Sequence, residues 1–117
     1  MAKAAFVVYA GTDSHEDLGR LTNALQGVNE FVDNGDDVVL VFDGGGTQWI
    51  EALADESHPA HGLFEAVKDV TYVCDYCAGA FHVEEAVDES DVERLNEYDG
   101  HPSLHRLVED GYEIITF

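Results

Sequence analysis

Four short apolar runs, separated by stretches of helical periodicity, set the tightest limit on how this chain can fold. They are KAAFVVYA (residues 3–10), DVVLVFD (37–43), VTYVC (70–74) and YEIITF (112–117). Each would be apolar on both faces of a strand, which is the pattern of strands covered on both sides, as in a parallel sheet. Between the first two, SHEDLGRLTNALQGVNEFVDNG (14–35) sets Leu18, Leu21, Leu25, Val28 and Val32 along one helical face. Its acids gather in the first turn and Gly35 follows as a stop. Thr47 stands where it could cap a helix in TQWIEALADE (47–56). HPAHGLFEAVKD (58–69) reads as another short helix and DVERLNEY (91–98) as a weaker one. A last helix is expected in HPSLHRLVEDG (101–111), with Pro102 near its start and Gly111 after its end. Strands alternating with helices predict an α/β fold: one three-layer domain over residues 1–117, its sheet mostly parallel and doubly wound, with helices on both faces.

A chain of 117 residues is long enough to bury its own core. No apolar run approaches the ~20 residues of a membrane span. The opening MAKAAFVVYAGTDSHED has one lysine and a short apolar run before it turns acidic, so it reads as a first strand rather than a leader, and a cytoplasmic protein is expected. With 25 Asp and Glu against 5 Lys and Arg, the formal charge is −20. Such a surface repels phosphates, so direct binding to nucleic acid or to an anionic membrane is not expected.

The chemistry centres on the two cysteines, Cys74 and Cys77, in VTYVCDYCAGAFHV (70–83). Two thiols three positions apart in a chain of this size are not a disulfide framework. Cys74 ends the third predicted strand, and ligands of open α/β sheets bind at the carboxyl ends of strands. A thiol there can meet a helix N-terminus, which favours the nucleophilic thiolate, whereas the neighbouring Asp75 disfavours it. CAGAFH reads as a turn of small residues, and His82, if it reaches the loop, could assist proton transfer.

A second reading is zinc, with His58 and His61 of HPAH joining Cys74 and Cys77 to complete a tetrahedral set. A thiol–disulfide redox pair is a third, although such pairs usually follow an early strand and open a long helix. A fourth is a pair of buried cysteines without chemistry. DGGGTQW (43–49) lacks the ending of a phosphate-binding loop and reads as a tight strand-to-helix turn. YAGTDSHED (9–17) carries too many acids to hold a flavin phosphate. Phe31, Phe64, Trp49 and Phe81 are most simply core or interface residues, with Trp49 and Phe81 the candidates for an interface.

Taken together, the first strand turning into a long helix, VVLVFDGGG, YVCDYCAGAF and the closing LVEDGYEIITF resemble the DsrE/DsrF-like family over nearly the whole chain. The resemblance implies a small α/β protein that assembles into trimers or hexamers and takes part in sulfur relay. It implies that Cys74 carries sulfane sulfur as a persulfide, with Cys77 where some members have a second cysteine. It implies protein donors and acceptors of sulfur and no resident cofactor. Relay members often carry basic residues and a glycine seven or eight positions after the cysteine; this chain has Phe81 and His82 there.

Acids occur in every segment, and Lys3 and Lys68 are the only lysines. An evenly acidic, lysine-poor domain with a well-patterned core suits a salt-loaded cytoplasm, and a halophilic source is expected. In molar salt the Debye length is about 3 Å, so self-repulsion is screened. Dialysis from molar salt into dilute buffer should therefore unfold the protein. Far-ultraviolet circular dichroism checks this, and an unchanged spectrum would count against it.

Overall fold

The computed structural model describes all 117 residues. It contains five strands: β1 (Lys3–Val8), β2 (Asp37–Phe42), β3 (Thr71–Cys74), β4 (Glu93–Leu95) and β5 (Glu113–Thr116). Six helices connect them: α1 (His15–Asp33), α2 (Gln48–Leu53), α3 (His61–Val67), α4 (Asp75–Ala80), α5 (Glu84–Ser90) and α6 (Leu104–Glu109). Every pairing is parallel, and the strand order is β4-β3-β2-β1-β5.

Alternation along each strand divides the side chains between two faces. Ala4, Phe6 and Val8 of β1, Val38, Leu40 and Phe42 of β2, and Val73 of β3 enter one buried cluster. Leu21, Leu25 and Val28 of α1, Ile50 and Leu53 of α2, Phe64 and Val67 of α3, and Val87 of α5 complete it. Ala5, Val7, Val41 and Cys74 lie outside that cluster and are also buried. α6, which has no buried residue, lies on this second side, where Leu107 lines a cleft with Val39, Val41, Tyr72, Leu95 and Tyr112. The expected three-layer α/β domain is therefore present, with one thick helical layer and one thin one.

Local signals account for the first crossover. The Ser14 hydroxyl accepts the Asp17 N–H and starts α1, and Gly35 takes a φ of +75° just beyond its end. A Cβ at Gly27 would come within 2.5 Å of the Phe6 ring, so this glycine lets α1 lie close on β1.

Several sequence expectations need correction. DVERLNEY holds strand β4, not a helix. No apolar run marks it, because Arg94 spends its charge on Asp75 and Asp88 at 3.0 and 2.6 Å. Thr47 stands at the N-cap position of α2 without a side-chain cap, because it closes a 3-10 turn over Gly44–Thr47 and sends its hydroxyl back to Gly44 O; Asp43 caps that turn, accepting the Gly44 N–H at 2.8 Å. Trp49 is 3% exposed and its indole N–H donates to Ala10 O at 2.8 Å, so it belongs to the core. Phe81 is exposed.

The 3-10 turn also depends on close approach to β1. A Cβ on Gly46 would stand 2.0 Å from Val8 O, and backbone cannot yield as a side chain does. Gly46→Ala should cost about 2–3 kcal/mol, in the range of overpacked cores. Gly19→Ala, where a Cβ meets nothing within 4 Å, should not destabilise. Denaturant midpoints in high salt measure both.

Candidate functional site

β1 through β3 each connect forward to the next strand on the thick helical side, whereas β4 connects back across the sheet to β5 through α6. The loops leaving the carboxyl ends of β3 and β4 therefore part in opposite directions. A crevice opens between such strands, and that is where open α/β sheets bind ligands. Cys74 is the last residue of β3, and residues 96–103 leave β4 beside it.

Three backbone segments meet there. α4 begins directly after Cys74, where the sequence suggested a turn, and the Cys74 sulfur caps it by accepting the Cys77 N–H at 3.4 Å. This places Cys77 one turn along, above Cys74. From β4 the chain makes a tight turn: Tyr98 and His101 exchange both backbone hydrogen bonds, at 2.9 and 2.8 Å. Asp99 and Gly100 have φ of +50° and +85°, the positive pair of a type I′ turn. Gly100 O accepts the Tyr76 N–H at 2.9 Å and fastens the turn to α4. His101 Nδ1 then stands 3.3 Å from Cys74 Sγ and 4.0 Å from Cys77 Sγ, with its ring against Tyr76 at 4.9 Å between centroids. Asp43, at the end of β2, supplies a carboxylate. The donor atoms of Asp43, Cys74, Cys77 and His101 all lie within 4.8 Å of one another.

Cys74 has no exposed surface, whereas Cys77 is half-buried. Burial pushes the Cys74 thiol well above the ordinary thiol range. The Cys77 N–H opposes this, and the Cys77 side chain and Asp43 add to the rise. The effective acid is thus Asp43 rather than Asp75. Asn96 and Arg94 hold the Asp75 carboxyl below its usual range, at 3.2 and 3.0 Å. The Tyr9 phenol is raised first by burial and then by Asp43, Cys74 and Cys77, which marks the surroundings of the thiols as electronegative.

Of the residues named from sequence, the structure brings Cys74 and Cys77 together and leaves the histidines elsewhere. His58 Nδ1 accepts the Ala60 N–H at 3.0 Å while its ring meets Trp49. His61 Nδ1 lies 2.6 Å from Leu53 O and its Nε2 faces Glu65. His82 is exposed beyond the end of α4, at a φ of +60°, and is not among the groups gathered at the thiols. The imidazole at the site is His101. Its signal was the Asp-Gly pair before it, the sequence of a type I′ turn; the signal of Asp43 was its place at a strand's carboxyl end.

Comparison with known proteins bears on the fold and the family. An uncharacterized protein of Methanocaldococcus jannaschii is 32% identical over 114 residues, covering 97% of this chain and 93% of that one. A conserved protein of unknown function from Bacteroides thetaiotaomicron has the same fold, with a TM-score of 0.64 at 11% identity, covering 98% of this chain and 95% of that one. The model of the DsrE/DsrF-like family matches residues 2–117, and the chain belongs to that family.

Proposed function

We propose that this protein is a sulfur carrier that takes up sulfane sulfur as a persulfide on Cys74 and passes it to a partner thiol. The observation that carries this reading is the convergence of the only two thiols at the carboxyl end of β3, with an imidazole 3.3 Å from Cys74 Sγ. The family's association with sulfur relay supports it.

The chemistry follows from those atoms. His101 Nδ1 accepts the Cys74 proton, which offsets the cost of a buried thiolate by leaving an imidazolium beside it. The thiolate attacks the outer sulfur of a donor persulfide R–S–SH. The new S–S bond gives Cys74–S–SH, and the donor leaves as R–S−, which takes the proton from His101. Attack on the outer sulfur by an acceptor thiolate returns Cys74 to its starting state. If no acceptor arrives, the Cys77 thiolate attacks the inner sulfur and forms a Cys74–Cys77 disulfide with loss of HS−. Because Cys74 is buried and Cys77 half-exposed, the incoming sulfur meets Cys77 first or displaces the turn that carries His101. Exposed Tyr76, Phe81 and Tyr98 give donor and acceptor proteins apolar area to hold in an acidic surface. Leu104, Val108 and Ile115 give a second copy of the chain the same.

Incubation with a persulfide donor in high salt, followed by alkylation without reduction and mass spectrometry, tests the reading. One reductant-labile sulfur on Cys74 is expected. Cys74→Ser should lose stable loading, and His101→Ala should slow it by about a hundredfold, within the range of general acid–base catalysis. Loading of Cys74→Ser at the wild-type rate would move the role to Cys77.

A pH dependence follows as well. The folded state holds the Cys74 proton above its unfolded titration, so the stability this confers is complete below roughly pH 8.5 and is lost as pH rises beyond it. Cys74→Ala should flatten that alkaline decline in urea-unfolding midpoints.

A further inference from the structure

We propose that Asp43, Cys74, Cys77 and His101 form a tetrahedral site for a thiophilic divalent cation, with zinc the ion the donors suit. Two sulfurs, one imidazole nitrogen and one carboxylate oxygen match the hardness zinc prefers. Bonds of about 2.3 Å to sulfur and 2.0–2.1 Å to nitrogen imply S···N edges of about 3.6 Å in a tetrahedron. The observed edges of 3.3 and 4.0 Å from His101 Nδ1 lie on either side of that value. No pair among the four donors exceeds 4.8 Å, a gap that small side-chain rotations close.

The donors are already held by three separate stretches of backbone, Cys74 and Cys77 sharing the junction of β3 with α4. Asp43 is fixed by its bond to the Gly44 N–H, Cys74 by β3, Cys77 by the first turn of α4, and His101 by the turn at Asp99–Gly100. The Cys77 N–H already points at Cys74 Sγ, the kind of outer contact that steadies a metal-bound thiolate. Burial also suits an ion: Cys74 is buried and the other three donors are half-buried. The ligand set differs from the one read in the sequence, because His58 and His61 spend their rings on Ala60, Trp49 and Leu53.

The charges balance. Two thiols, one carboxylate and one neutral imidazole take up the cation and release two protons, which leaves a site of net charge −1. Bound metal occupies the lone pairs of both sulfurs, so metal and sulfane sulfur exclude one another. The metal site does not rest on the carrier reading.

Cobalt titration of the reduced, metal-free full chain in high salt tests the proposal. The expected result is one equivalent bound, with thiolate-to-cobalt charge-transfer absorption, the intense visible bands of tetrahedral cobalt, and displacement by zinc. Asp43→Ala and His101→Ala, checked for fold by circular dichroism, should each weaken binding at least about tenfold. The double variant His58→Ala/His61→Ala should bind as wild type. Weak octahedral spectra without charge transfer would mean that cobalt sits only on surface carboxylates, and would overturn the proposal. So would loss of binding in the His58/His61 variant with retention in the other two. Persulfide loading of the same metal-free sample is scored separately: its failure removes the carrier reading and leaves the cobalt result standing.

Discussion

A chain that lays four parallel strands side by side in order, and then adds a fifth next to the first, has to return across the opposite side of the sheet. Right-handed crossovers leave it no other route. That single reversal sets the switch point between β3 and β4 and decides which groups meet there. The thiols arrive with the connection that leaves β3 for the thick helical layer, and the imidazole arrives with the connection that leaves β4 for the thin one. Neither group has a sequence neighbour in common with the other, yet their atoms lie 3.3 Å apart.

The central strands and α1 could be read from the sequence because their signals are local. Apolar runs, a serine cap and a glycine stop all act over a few residues, and β1, β2, β3, β5 and α1 appear where those signals place them. β4 was hidden because a three-residue edge strand needs no apolar run when an arginine secures it to two acids. The two thiols were legible, since their spacing fixes their proximity once a helix turn follows the strand. Asp43 and His101 were not, because they lie 31 and 27 positions from Cys74 and meet it only through sheet order. His58, His61 and His82 lie near the cysteines in sequence, which a crossover fold does not convert into nearness in space.

Electrostatics set the character of the crevice. All five Lys and Arg side chains are engaged in ion pairs, with Asp37, Glu16, Glu65, Asp75 and Asp88, and Glu97 and Asp110. Most of these pairs are exposed and contribute little to stability singly. Their consequence is that no cation remains to lower the Cys74 thiol, which faces Asp43 instead. A group that is to draw the proton off this sulfur has to be carried in beside it, and His101 is so placed. The same shortage of fixed positive charge makes the crevice receptive to a mobile one.

Two parts of very different robustness share the site. β3 and α4 rest on the large buried cluster, whereas α6 buries no residue of its own and Pro102 is the one buried residue of the returning connection before it. Segments with so little buried surface open locally at a small fraction of the global unfolding free energy. Local opening of this connection would carry the imidazole away and leave the sulfurs in place with the rest of the fold intact. Amide exchange at residues 98–112 is then a clock for how often the thiols stand without the imidazole.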